Sequence, residues 1–188
     1  MERATDRLGI GVTGHRAFPD ADRVTETVDR VLDTIDMTGP ATVVSSLAEG
    51  ADRLVARRAL ARPGWTLAVV LPLEPLDYLA DFADERSRTE FTALLERADD
   101  VEQIPPAQSR TEGYRRAGHR VVDRSDALIA LWDGEPAAGE GGTAEIVDHA
   151  RLLDRPLAWV PVVNTVRVPP QGEGVRAEII WERWPWPV

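Results

Sequence analysis

Three short turns in this chain combine glycine with hydroxyl, amide or charged groups, and each follows an apolar run. They are Gly11-Val12-Thr13-Gly14-His15-Arg16, Ser45-Ser46-Leu47-Ala48-Glu49-Gly50-Ala51-Asp52 and Gly139-Glu140-Gly141-Gly142-Thr143-Ala144-Glu145. Turns of this kind can hold a phosphate. Glycine lets the backbone come close to the anion, and the free N–H groups and positive dipole end of a following helix face it. On this reading the phosphate rests on the N–H groups of Gly141, Gly142 and Thr143, and on the loop from Thr13 and Gly14 to Arg16.

The side chains allow more than one role. Thr143 gives its hydroxyl to a phosphate oxygen, or caps the helix that follows. Arg16 pairs with a phosphate. His15 bonds a phosphate or a base, or satisfies a backbone carbonyl. Ser46 donates to phosphate or ribose, or ends a strand. Glu145 falls in the first turn of a helix, where the dipole favours a carboxylate in any case. Its functional roles are accepting ribose hydroxyls or general acid/base work. Asp133 carries the same ambiguity. Ribose is expected to face Ser46, Glu49 or Glu145, and Gly50 and Asp133 complete the expected ligand-binding set.

Composition narrows the chemistry. The chain has no cysteine, and all 22 basic residues are arginine, since lysine is absent. Thiolate chemistry, Schiff-base catalysis and a phosphate-loop lysine are therefore excluded. The spacing of His15, His119 and His149 matches no metal motif, so no metal and no cofactor is expected. No Gly-x-Ser-x-Gly elbow is present. The net charge of −10 argues against a broad surface for DNA or RNA, and nucleic acid is expected not to be a partner. Asp81, Asp84, Glu85, Asp99 and Asp100 read as solvated surface. No apolar run approaches the roughly 20 residues of a membrane helix. Met1 to Arg7 lacks the apolar core of a signal peptide. A cytoplasmic protein with no membrane partner is expected.

The turns need a scaffold, and the hydrophobic pattern supplies one. Strands are expected at Leu8–Thr13, Ala41–Ser46, Trp65–Leu71, Val101–Ile104, Ala127–Trp132 and Leu157–Val163, with helical faces between them. The charged run Asp84 to Arg88 is expected to interrupt a helix that starts at Tyr78 and resumes at Phe91. The alternation implies an α/β, Rossmann-like three-layer sandwich with a mostly parallel sheet. Ligands on such sheets sit at the carboxyl ends of strands, where the strand order reverses. A length of 188 residues suits one domain, expected over 1–168, followed by a tryptophan-rich tail over 169–188. Pro169 to Gly174 reads as a linker, and Val175, Ala177, Ile179 and Trp181 alternate as in an edge strand.

Taken together, the order and spacing of these pieces resemble the SLOG superfamily of Rossmann-like domains. That group includes the Lonely Guy phosphoribohydrolases and the DNA-processing protein DprA. The resemblance runs from Leu8 to Val163. Its carriers are Gly11 to Arg16, Ser45 to Asp52 with Leu54-Val55-Ala56, Leu67 to Pro72, Arg124 to Leu131, and Gly141 to Glu145. It implies phosphate binding at the glycine turns and pairing into a homodimer through helices flanking the site. The Lonely Guy pattern is Pro-Gly-Gly-x-Gly-Thr-x-x-Glu with an upstream catalytic arginine. Here no proline leads the motif, Ile146 stands three after Thr143, and the acid is one place earlier at Glu145.

The expected function is binding of a nucleotide or nucleotide-derived small molecule, as in the sensors of bacterial signalling that this superfamily includes. The enzymatic alternative is N-glycosidic cleavage of a nucleoside monophosphate, with Glu145 and either Arg115 or Arg116 as catalysts. A third reading is a scaffold with a vestigial pocket. Trp181, Trp184 and Trp186 cluster near the C-terminus and mark either a dimer interface or a tail folded over its own sheet edge.

Overall fold

A computed structural model of the chain describes residues 7–136, 141–163 and 178–187. Strand β1 (Gly9–Gly14) leads to helix α1 (Ala21–Asp36), then β2 (Thr42–Ser45), α2 (Ala51–Leu60) and β3 (Thr66–Leu71). Two helices, α3 (Pro75–Leu79) and α4 (Glu85–Leu95), precede β4 (Asp100–Gln103). The chain continues through α5 (Arg110–Asp123), β5 (Ala127–Trp132), α6 (Thr143–Leu152), β6 (Leu157–Pro161) and β7 (Ile180–Glu182). The sheet order is β4-β3-β2-β1-β5-β6-β7. All pairings are parallel except that of β6 with β7. The expected α/β sandwich is the fold found.

Local chemistry explains the elements. In α1, Val24, Val28, Val31, Leu32 and Ile35 share one face and are all buried. Full burial of each such side chain stabilises by about 1.5–3 kcal/mol. Asp20 caps this helix by accepting from the Arg23 amide at 3.2 Å. The run Asp84 to Arg88, expected to interrupt a helix, instead starts one. Asp84 accepts from the Ser87 amide at 2.8 Å, so the charged residues form the cap and first turn of α4. Its helical signal was hidden because a capped, solvent-facing first turn has no apolar period.

The inner strands are buried on both faces, and neighbouring residues point into opposite layers. Val43, Val69, Ile129 and Leu131 pack with α1, α2 and α4. Leu128, Ala130 and Trp132 pack against α6, while Val44, Ala68 and Val70 meet α5. At the far edge, Trp181 of β7 pairs with Ala158 of β6. Trp181, Trp184 and Trp186 pack in series, the first pair tilted and the second edge to face, with 4.7 Å between successive ring centres. All three indoles are half-buried against this chain's own core. The aromatic cluster taken as an argument for an interface is thus engaged by its own sheet edge. The expected linker Pro169 to Gly174, the boundary at 168/169, and Val175 and Ala177 lie outside the described residues. Among the described residues, no helix is long and apolar enough to cross a membrane.

Candidate functional site

Beyond β1 and β5 the chain leaves the sheet in opposite directions, which opens a crevice at their carboxyl ends. Beside it lies a pocket of about 140 Å³, bordered by Thr13, Gly14, Arg16, Ser46, Tyr114 and Thr143 among others. All three sequence turns reach this place. They contribute very different groups to it.

The turn after β1 is a structural knot with one outward cation. A side chain at Gly14 would collide with the Ala51 side chain and the Leu131 carbonyl, so β1 can end here only with glycine. The His15 amide donates to the Leu131 carbonyl at 2.9 Å, and the Ala51 amide donates to the His15 carbonyl at 3.1 Å. The loop therefore caps α2 while fastened to β5. The His15 ring ties the same strands at side-chain level. Its Nε2 lies 3.0 Å from the Asp133 amide and 3.1 Å from Asp133 Oδ1. His15 and Asp133 hold one another at the switch point. Arg16, by contrast, is exposed, with its guanidinium 5.8 Å from the centre of the Tyr114 ring.

The turn after β2 is filled from within. Asp52 Oδ2 accepts from the Ser45 hydroxyl at 3.0 Å and from the amides of Ser46 at 3.1 Å and Ala48 at 3.4 Å. Burial pushes the Asp52 carboxyl up to about 6, against the pull of Ser45, Ala48, Ser46 and the positive charge of Arg16. The Ser46 side chain borders the pocket. Glu49 does not. It accepts from the Ala83 amide at 3.1 Å and from the Ser87 hydroxyl, fastening the start of α4 to this turn. Gly50 has φ +81°, and a Cβ there would overlap the Arg16 and His15 carbonyls.

The turn before α6 is the open one. Gly142 caps the helix without a side-chain bond. The Gly141 amide donates to Glu145 Oε2 at 2.6 Å, so the carboxylate already occupies the first N–H of the turn. No acceptor for the amides of Gly142, Thr143 and Ala144 occurs among the described residues. Gly139 and Glu140 lie outside those residues.

On the other side of the α6 N-terminus, a groove of about 990 Å³ runs between α5 and α6, bordered by Arg115, His119, Trp132, Glu145 and His149. The rings of His119 and His149 stack at 4.0 Å. His119 Nε2 is 3.6 Å from Glu145 Oε1, and His149 Nε2 is 3.0 Å from Asp123 Oδ1. Burial, and next the neighbouring His149, holds His119 below the ordinary histidine range. Glu145 and Arg115, two of the residues considered for catalysis, share this groove. Arg116 borders neither recess.

Sequence reading overlooked Asp52 and Tyr114 as members of the site. Asp52 stood in a first helical turn, where an acid is ordinary. Only its contacts with Ser45, Ser46 and Ala48 mark it as the filling of the turn. Tyr114, on the amphipathic face of α5, proves to be half-buried beneath Arg16.

No family model matches the chain, and no curated protein matches it. Among solved structures it is similar to DNA processing protein A (DprA) from Streptococcus pneumoniae, with TM-score 0.60 and 17% identity over 84% of this chain and 51% of that one. It is also similar to DprA from Helicobacter pylori, described for its single-stranded DNA binding mode, with TM-score 0.55 and 18% identity over 83% of this chain and 66% of that one. The chain thus spans about half the length of the first and about two thirds of the second. The likeness is one of fold. The α/β sandwich with a mostly parallel sheet that the sequence resemblance implied is the fold of this chain. One expectation is corrected. Net charge does not exclude nucleic acid, because a protein of this fold, the H. pylori DprA, binds single-stranded DNA. The physical reason is range. A bound phosphate feels charges within about 10 Å at ordinary salt, not the sum over the chain.

Proposed function

We propose that the pocket at the carboxyl ends of β1 and β2 binds a nucleotide unit by its phosphate. Arg16 carries the reading. It makes no hydrogen bond or ion pair among the described residues, and it stands at the rim of a pocket bordered by the aliphatic hydroxyls of Thr13, Ser46 and Thr143. A guanidinium with free hydroxyls and unbonded helix amides is a donor set suited to a phosphate. The volume of about 140 Å³ is below that of pockets enclosing whole small-molecule ligands, so the phosphate and sugar edge are held and the base extends outward. The buried Asp52 beneath the pocket is the acceptor for a sugar hydroxyl.

A second reading follows from the likeness in fold to H. pylori DprA. In it the phosphate belongs to a single strand rather than to a free nucleotide. Calorimetric titration with ADP and with a ten-residue oligothymidylate separates the two. The first reading expects saturable ADP binding that Arg16→Ala weakens at least tenfold. Binding of the oligonucleotide alone selects the second. Absence of both defeats the assignment of the pocket.

A further inference from the structure

On the α1–α2 side of the same loop lies a separate recess of about 230 Å³. Arg16 and Phe18 of the loop, Ala21 of α1, and Arg53 and Arg57 of α2 border it, with Glu90 of α4. Arg16 thus stands between two cavities, the one described above and this one.

Arg53 is the unusual member. It is 1% exposed. Its Nε donates to the Leu47 carbonyl at 3.0 Å. Its Nη1 donates to the Ser87 carbonyl and hydroxyl, both at 2.8 Å, and to Glu90 at 3.3 Å. The guanidinium lies 4.3 Å from the centre of the Phe82 ring. Its remaining nitrogen, Nη2, is buried with no hydrogen-bond partner among the described residues. A buried cationic donor left unbonded is costly, and native structures rarely keep one without an acceptor.

The charge balance points the same way. Glu90 pairs with both Arg53 and Arg57 and is the one carboxylate bordering the recess beside three guanidinium groups, while Glu49 and Asp52 act on Arg53 from behind it. The first turn of α1 adds the positive end of a 16-residue helix. Asp20 engages the Arg23 amide there, and the Ala21 amide has no acceptor among the described residues. The space of about 230 Å³ equals that of several water molecules at about 30 Å³ each, which admits one phosphate group.

We infer that this recess is a phosphate site, with Arg53 Nη2, Arg57 and Arg16 as donors, lying across the β1–α1 loop from the nucleotide pocket. The inference rests on the Arg53 recess and needs the nucleotide reading only for the role of Arg16 as a shared neighbour. The phosphate comes either from the next unit of a ligand whose first phosphate is in the pocket, or from free orthophosphate.

The test is titration of the full chain with inorganic phosphate, followed by phosphorus NMR and calorimetry. The wild type is expected to bind two equivalents. Ala21→Glu places a carboxylate at the mouth of the recess, at a helix position where the dipole tolerates it, and removes one equivalent. Thr143→Glu does the same for the nucleotide pocket and removes the other. Arg16→Ala weakens both at least threefold. A stoichiometry unchanged by Ala21→Glu overturns the inference. Loss in Ala21→Glu with none in Thr143→Glu upholds it and defeats the nucleotide pocket instead. The dinucleotide pApA then separates the sources. Affinity lowered at least tenfold by either carboxylate shows one ligand spanning both sites. Affinity lowered by Thr143→Glu alone identifies free phosphate as the occupant of the recess.

Discussion

The turn after β2 and the turn before α6 look alike as strings of residues, and they differ in what occupies them. In the first, a side chain of the same chain takes the anion's place. Asp52 reaches back from α2 to the amides of Ser46 and Ala48, and its carboxyl is buried. In the second, Glu145 takes only the outermost N–H, and the amides behind it have no acceptor among the described residues. A glycine-rich turn between strand and helix is therefore a cradle only when the chain has not already filled it. The β2 turn is a rigid wall beside the pocket, and the α6 turn is the surface that the proposed ligand would use.

The sharpest break of this contrast is at Gly50, in the filled turn. Gly50→Ala would combine a strained positive φ with overlap against the loop that carries Arg16. A loss of about 3 kcal/mol in urea-unfolding stability is expected from strain and overpacking together. A loss below about 0.5 kcal/mol would mean that the loop yields and that the wall is soft.

Next comes the charge inside the wall. Asp52 is pushed up to about 6, so the native state holds this proton more tightly than the unfolded chain does. Its contribution to stability is present in full below about pH 4 and is lost as the pH rises through about 6. Asp52→Asn keeps an acceptor and removes the titration. The stability difference, wild type minus variant, should fall by roughly 2 kcal/mol between pH 4 and pH 7. Unfolding curves at pH 4, 5.5 and 7 measure it. A difference independent of pH would sink the account of a buried, amide-bonded carboxyl.

Arg16 sharpens the comparison from the ligand's side. The side chain is exposed, so Arg16→Ala should change stability by no more than about 0.5 kcal/mol. Charge-assisted hydrogen bonds are worth about 1.5–3 kcal/mol, which predicts nucleotide affinity lower by one to two powers of ten. Equal affinity in the variant would move the phosphate elsewhere.

The smallest effect on stability belongs to the open turn. Gly142 has φ −80° and ψ 165°, a conformation open to any residue, and it stands at the cap of α6. Aspartate is a better cap than glycine, so Gly142→Asp should leave the melting temperature unchanged or raise it through a gain of a few tenths of a kcal/mol. The same carboxylate repels a phosphate, and nucleotide binding should drop at least tenfold. A stabler protein with undiminished binding would show that the α6 amides are not part of the site.

The sequence by itself determined the framework. Alternating apolar runs and amphipathic faces gave six strands of the sheet within a residue or two, because burial on both faces of a parallel strand and on one face of a helix leaves local periods in the chain. Glycine at 14 and 50, and the turns around them, were legible for the same local reason. The fate of polar groups was not legible. That His15 is tied to Asp133 depends on β1 and β5 lying side by side, and that Glu49 is tied to Ala83 depends on where the start of α4 packs. Arg53 shows it most plainly. In sequence it is one of 22 arginines, on a helix rich in them. Only the packing of α4 and the β1–α1 loop around α2 buries it with one nitrogen unbonded. Hydrogen-bond satisfaction is a property of groups distant in the chain and close in space, so a donor's partner, or its lack of one, is fixed by tertiary structure.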